Sequence, residues 1–210
     1  MEVGNMKLKT DWKVENIVAT AALNLENEDR IDLNELAKRY DSVYNPTRFP
    51  GLVMRINQPK TTFLIFSNGK MVITGARLET DINIAVTGVV ERIRKIKKNM
   101  NCNVPITITN LVASGDLHMV IDLDEAAIIL DNTMFEPEVF PGLVYRMQDP
   151  VAVFLLFRTG KIVCTGCKNR EVIGKAIEKL EDVLEKKGIA GKAGNDSNVN
   201  DDEFAFAHRM

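Results

Sequence analysis

The chain has 210 residues, 45% of them hydrophobic and 27% charged, enough for one medium core or two small ones, which excludes a disordered, collagen-like or fibrous chain. Its formal net charge of -2 argues against holding nucleic acid by bulk positive charge. No apolar run approaches the ~18 residues of a membrane span, residues 1–7 lack the apolar core of a secretory signal, and three cysteines are too few for a disulfide framework, which fits a reducing compartment.

In chain order, residues 13–23 predict a strand of small and β-branched residues. Asp32 predicts the cap of a short helix with Leu33, Leu36, Ala37 and Tyr40 on one face. Asn45-Pro46 and Pro50-Gly51 mark turns. Three short strands follow at 52–56, 62–66 and 71–74, separated by turns at Gln58-Pro59 and at 67–70. Across 81–98, Ile82, Ala85, Val86, Val89, Val90, Ile93 and Ile96 recur at helical spacing.

The order then repeats. Residues 44–77 align without gaps on 135–168 at an offset of 91, with 16 of 34 positions identical. Upstream, Asn16-Ile17-Val18-Ala19 resembles Asn110-Leu111-Val112-Ala113 at an offset of 94, which puts three extra residues of the first copy in the polar stretch 24–30. The second long helix carries Val172, Ile173, Ala176, Ile177, Leu180, Val183 and Leu184 on one face. The chain thus divides into an N-terminal extension (1–11), a first repeat (12–100), a second repeat (101–188) and a tail (189–210). The tail holds four acids and two bases, leaving 25 charges of each sign elsewhere, and reads as a flexible acidic extension. Each half is strand, short helix, strand meander and long helix, an α+β pattern. Such a duplication favours a pseudo-twofold molecule, suited to a partner that is itself nearly twofold.

The central strands are apolar on both sides. Phe63 and Ile65 face one way, Leu64 and Phe66 the other; Met71 and Ile73 oppose Val72 and Thr74. The second copy does the same with Phe154-Leu155-Leu156-Phe157 and Ile162-Val163-Cys164-Thr165. Two helices per half cover about one face, so the other is expected to be open, with Val18, Leu64, Phe66 and Val72 and their repeats Val112, Leu155, Phe157 and Val163. Asn16, Thr74, Asn110 and Thr165 add neutral hydrogen-bonding groups to that face. The DNA minor groove offers sugar walls to apolar side chains and adenine N3 and thymine O2 acceptors to such donors, with little need for net positive charge. Arg55, Lys70, Arg146 and Lys161, at strand ends, suit flanking phosphates.

The paired Phe-Pro-Gly-Leu-Val motifs (49–53 and 140–144), Met54-Arg55 and Tyr145-Arg146, the Phe-x-x-Gly-Lys turns, and Thr74-Gly75 and Thr165-Gly166 resemble the TATA-box-binding proteins, general transcription initiation factors, over residues 12–188. Pro50 makes both loops Phe-Pro-Gly, which resembles the archaeal type. The resemblance implies a saddle: two pseudo-twofold repeats forming one curved antiparallel sheet, with helices on the convex face. It implies that Phe49, Phe66, Phe140 and Phe157 insert between base steps and that Asn16, Asn110, Thr74 and Thr165 bond bases. By the same resemblance Val18, Leu64, Val72, Val112, Leu155 and Val163 pack the groove, and Arg55, Lys70, Arg146 and Lys161 meet phosphates. Glu136 and Glu138 lie in a loop that contacts transcription factor B in the family, where the first copy has Asn45, Thr47 and Arg48. The implied partners are double-stranded promoter DNA, transcription factor B and, indirectly, RNA polymerase, with a possible homodimer away from DNA. The implied location is cytoplasmic and nucleoid-associated, or nuclear in a eukaryote.

Other signals are discounted. Cys164-x-x-Cys167 stands alone, with Cys102, His118 and His208 as the only other soft ligands, so neither a metal nor a redox role is expected, and no cofactor. No acid–base or nucleophile constellation supports an enzyme. The run 91–98, five bases to one acid, is either a solvated basic face or a docking surface. Two rivals to the DNA-binding reading are a protein-interaction scaffold using the apolar face and an accessory module of an enzyme.

Overall fold

The computed structural model describes residues 10–25, 30–97 and 103–192. The end of the predicted helix at Lys98, Cys102, His208, residues 1–9 and the tail from 193 onward lie outside them. In chain order the elements are β1 (Asp11–Ala22), α1 (Leu33–Arg39), β2 (Ser42–Val43), β3 (Leu52–Asn57), β4 (Lys60–Ile65), β5 (Lys70–Ala76) and α2 (Glu79–Arg94). They continue as β6 (Ile106–Asp116), β7 (Met119–Ile121), α3 (Leu123–Ile129), β8 (Thr133–Met134), β9 (Leu143–Gln148), β10 (Val151–Leu156), β11 (Lys161–Cys167), α4 (Arg170–Lys186) and β12 (Ala190–Lys192). This is the expected α+β class. Of the described residues, 15–111 form one compact unit and 10–14 with 112–192 the other.

In the first unit the antiparallel order is β2-β3-β4-β5-β1. Register sorts the side chains into rows. Met54, Phe63, Ile73 and Ala19 lie side by side on one face, all buried. The helix α2 closes that face with Ile82, Ala85, Val86, Val89, Val90 and Ile93. In the second unit the order is β11-β10-β9-β8, and α4 packs Ile173, Ala176, Ile177, Leu180 and Leu184 inward.

Capping follows sequence. Asp32 accepts from the Glu35 amide at 2.9 Å, and its counterpart Asp122 accepts from the Glu125 amide at 3.0 Å. Asn169 caps α4 through the Val172 amide at 2.9 Å, whereas α2 has no side-chain cap and carries Glu79 and Asp81 in its first turn instead.

The duplication is visible bond by bond. Leu23 and Leu117, 94 apart, donate to Gly69 and Gly160 at 3.0 Å each. Ile31 and Ile121, 90 apart, donate to Ser67 and Arg158 at 2.8 and 3.0 Å. The first copy therefore has four extra residues between these points, one more than the alignment predicts. The second copy regains one before β8, where Asn132 adopts a left-handed backbone (φ 59°). The predicted strand 62–66 ends at Ile65, which leaves Phe66 in a turn closed by its amide on the Lys70 carbonyl at 2.9 Å. The two-residue strands β2 and β8, and the pairing of β12 with β7, are not predicted from sequence.

Candidate nucleic-acid interface

In the first unit, the face away from α2 carries Val53, Leu64, Val72 and Thr20 in one cross-strand row, each partly exposed. The next row is Arg55, Thr62 and Thr74. Asn16 and Val18 continue it along β1, alternating with buried Ile17 and Ala19. An apolar field in which every member keeps some contact with solvent is what a surface awaiting a partner looks like.

Asn16 is held in one orientation. Gly75, with φ 96°, turns its amide to donate to Asn16 Oδ1 at 2.8 Å. That fixes Oδ1 as the acceptor side and leaves Nδ2 to donate to Thr74 Oγ1 at 3.1 Å. The Thr-Gly pair of the motif thus has a mechanical role: only the glycine conformation aims that N–H at the side chain.

The ring pair sits beside the loop that precedes β3. Phe49 and Phe66 meet edge to face with centroids 5.8 Å apart, and Phe49 is 38% exposed. Gly51 makes room for them: a Cβ there would stand 2.6 Å from Phe49 Cε1 and 3.1 Å from Phe66 Cε1. The loop is shaped by Asn45, whose carbonyl accepts from the amides of Arg48 and Phe49 at 3.1 and 3.0 Å.

The second unit repeats the arrangement. Val144, Leu155 and Val163 form one partly exposed row, and Arg146, Val153 and Thr165 the next. Val112 is half-buried between buried Leu111 and Ala113. Phe140 and Phe157 meet edge to face at 5.9 Å, and a Cβ on Gly142 would lie 2.7 and 3.0 Å from them. One ring differs from the exposed wedge that the sequence leads one to expect: Phe157 is 0% exposed, whereas Phe66, its repeat, is half-buried.

The four basic residues Arg55, Lys70, Arg146 and Lys161 share the strand parity of the open rows. Asn110, by contrast, is placed half-buried on β6 next to buried Leu111, the same alternation that sets Asn16 beside Ile17. Glu136 and Glu138 are exposed in the loop before β9, beside Val139, which is 76% exposed. Residues that the sequence reading passed over are Val53, Thr62, Val144 and Val153, which parity places on the open face, and Gly51 and Gly142, whose identity in both copies was the available signal.

The discounted groups are packed away. Cys164 and Cys167 are buried, and burial pushes both thiols above the usual range, Cys164 with a further upward push from Cys167. Among the described residues no cluster of three His, Cys, Asp or Glu is arranged to hold a metal ion, and no helix is long and apolar enough to cross a membrane. At the end of α2, Arg92 lies over the Tyr40 ring at 5.4 Å, while Arg94 and Lys95 are exposed.

Comparisons agree with one another. Residues 11–96 and 105–187 match the family described as "Transcription factor TFIID (or TATA-binding protein, TBP)". A TATA-box-binding protein of Pyrobaculum aerophilum is 45% identical over 183 residues, covering 85% of this chain and 88% of that one. Its counterpart in Thermococcus kodakarensis is 42% identical over 191 residues, covering 90% and 96%. Among solved structures, Methanococcus jannaschii TBP matches with a TM-score of 0.73 at 37% identity, over 84% of this chain and 99% of that one. With two motif-bearing repeats, an antiparallel sheet backed by helices and archaeal relatives matched along most of their length, the chain belongs to the TATA-box-binding protein family.

Proposed function

We propose that the protein is a transcription initiation factor, not an enzyme, that binds A·T-rich promoter DNA in the minor groove and bends it. The observation that carries this reading is the open face of each unit: apolar rows with neutral Asn and Thr groups on the same face, a ring pair beside the loop before the meander and cations on the same parity. In an A·T groove the walls are sugar and the floor holds only acceptors. Valine and leucine rows desolvate against the walls. Asn16, oriented by Gly75, points an N–H donor rather than a carbonyl at the floor, and Asn110, Thr74 and Thr165 extend the set. Guanine's exocyclic amino group would clash with this surface and find no acceptor, which selects against G·C.

Phe49 and Phe140 are the leading edges of the wedges, with Phe66 and Phe157 behind them. Unstacking a base step costs about a few kcal/mol, a figure general to minor-groove wedge proteins, this family among them. Burial of the apolar rows against a widened groove offsets it. Flexible TA steps deform more cheaply, so sequence is read partly as stiffness. Arg55, Lys70, Arg146 and Lys161 take phosphates beside the groove. Glu136 and Glu138, replaced by Asn45 and Thr47 in the first copy, give transcription factor B a surface on one repeat only, and through it RNA polymerase a direction.

Energy transfer between dyes at the two ends of an A·T-rich duplex tests this. The protein should bring the ends together at saturating concentration; a bound but straight duplex would leave only a scaffold. Glu138→Arg should keep the bend while weakening a complex with transcription factor B at least tenfold; equal loss of both would remove the assignment of that loop.

A further inference from the structure

We propose that His118 couples duplex binding by the second unit to the uptake of a proton. The inference rests on reading the open face of that unit as the DNA-contacting surface, and three observations carry it.

The first is how the imidazole is held. His118 stands in the turn between β6 and β7 with a left-handed backbone, φ 54°, and its amide donates to Asp116 Oδ1 at 2.8 Å. The residues on either side of it are pinned against the β10–β11 turn. Leu117 donates to the Gly160 carbonyl at 3.0 Å, and a Cβ on Gly160 would run into the Met119 carbonyl. His118 is thereby fixed beside Gly160, the residue before Lys161.

The second is what the ring faces. Nε2 lies 3.6 Å from Asp11 Oδ2, and Nδ1 lies 3.7 Å from Asp116 Oδ1. An ionised carboxylate only accepts, whereas a neutral imidazole has one N–H and one lone pair. The neutral ring therefore turns a lone pair toward one of the two acids, and only the imidazolium turns an N–H toward each. Asp11 and Asp116 line one cleft with Lys13 and Lys161. Nearby, Lys192 lies opposite Met119 on β12, and Arg158, whose carbonyl accepts from the Ile121 amide, pairs with Asp124 at 3.2 Å. The two acids and two lysines of the cleft cancel, so a proton on His118 decides whether this corner is neutral or positive.

The third is where that charge sits. Lys161 shares the parity of the open rows, two residues before Val163. A proton on His118 thus adds positive charge beside a cation assigned to phosphate. Imidazole is the side chain that changes charge between about pH 5 and 8, where carboxylates and ammonium groups ordinarily keep theirs. By reciprocity, a duplex that favours the imidazolium binds more tightly as pH falls through that range. At the offset of 94 that relates the first strands, Pro105, Ala22 and Asn24 stand in the first unit where Asp11, Asp116 and His118 stand in the second. None of those three titrates, so the coupling belongs to one repeat.

The test titrates an A·T-rich duplex with the full chain at about pH 5.5 and about pH 8, at one ionic strength. One charge ~7 Å from a phosphate in water changes an affinity about threefold, so the protein should bind at least about threefold more tightly at the lower pH. His118→Asn, which keeps a residue at ease with a left-handed backbone, should lose that gain. His208→Asn, at the chain's other histidine, should keep it. No gain in the unaltered protein, a gain that survives in His118→Asn, or a gain lost equally in His208→Asn overturns the inference and leaves the DNA-binding reading intact. Absence of binding at both pH values brings down the DNA-binding reading, and the coupling with it. A second readout follows the His118 ring resonance against pH by NMR: saturating duplex should move its midpoint upward by about half a pH unit, the equivalent of threefold, and an unmoved midpoint overturns the coupling whatever the affinities do.

Discussion

Replacing Gly142 by alanine disturbs a wedge without altering either of its rings. The new Cβ would stand 2.7 Å from Phe140 Cε1 and 3.0 Å from Phe157 Cε1, where ordinary carbon contacts begin near ~3.5 Å. Phe140 is the half-exposed ring of the pair, so its edge yields, by about 1 Å. Losing the edge-to-face contact costs about 0.5–1.5 kcal/mol. Alanine also restricts the unfolded chain, which returns about 0.4–1 kcal/mol, because Gly142 has no positive φ that an alanine would strain. The two nearly cancel, and the melting temperature should move by no more than about 4 °C. Bending should suffer far more. If the displaced ring forfeits only ~1.4 kcal/mol of what insertion returns, duplex affinity falls about tenfold. Thermal unfolding and end-to-end energy transfer on the same preparation read both quantities. Gly88→Ala in α2 is the control: no atom lies within 4 Å of its Cβ, so it should stabilise by about 1 kcal/mol and leave bending unchanged. Full bending by Gly142→Ala with an unchanged melting temperature would refute the wedge geometry.

Three more outcomes follow from particular contacts. Phe157→Ala should cost about 3–5 kcal/mol of stability, because the ring is 0% exposed; Phe140→Ala should cost clearly less in denaturant melts while abolishing most of the bend. Asn16→Asp keeps an acceptor for the Gly75 amide but replaces the groove-facing donor with negative charge, so duplex affinity should fall at least about tenfold with less than ~1 kcal/mol change in stability. Cys164 and Cys167, with thiols raised by burial, should stay unalkylated at pH 8 in the native protein and react only on unfolding, as peptide mass spectrometry would show; native labelling at either position would contradict their packing.

Much of the fold was legible because the chain states it twice. A single copy of Phe-Leu-Ile-Phe reads equally as buried core; its recurrence beside Phe-Pro-Gly and Thr-Gly fixes strand, turn and parity together, and the rows in register follow those parities. Two-residue strands such as Ser42–Val43 escape the reading because two positions define no period. The pairing of Ala190–Lys192 with Met119–Ile121 escapes it because the two short segments lie far apart in the chain and neither carries a readable period. Of the candidate site, residue types pointed to the open face, but not to the lock that Gly75 places on Asn16, which depends on one positive φ. Nor did they reveal the burial of Phe157, which an equivalent position in the repeat does not share.

The central claim is that an apolar, neutral-donor surface reads the floor of the minor groove. Replacing every A·T pair of a preferred element by inosine·cytosine keeps the minor-groove acceptors and omits the guanine amino group, while the major groove becomes that of G·C. The account predicts that affinity for the substituted duplex stays within about threefold of the original, and that G·C replacement, which adds the amino group, lowers it by at least about a hundredfold. Loss of binding on inosine substitution equal to that on G·C replacement would place the readout in the major groove and contradict the account.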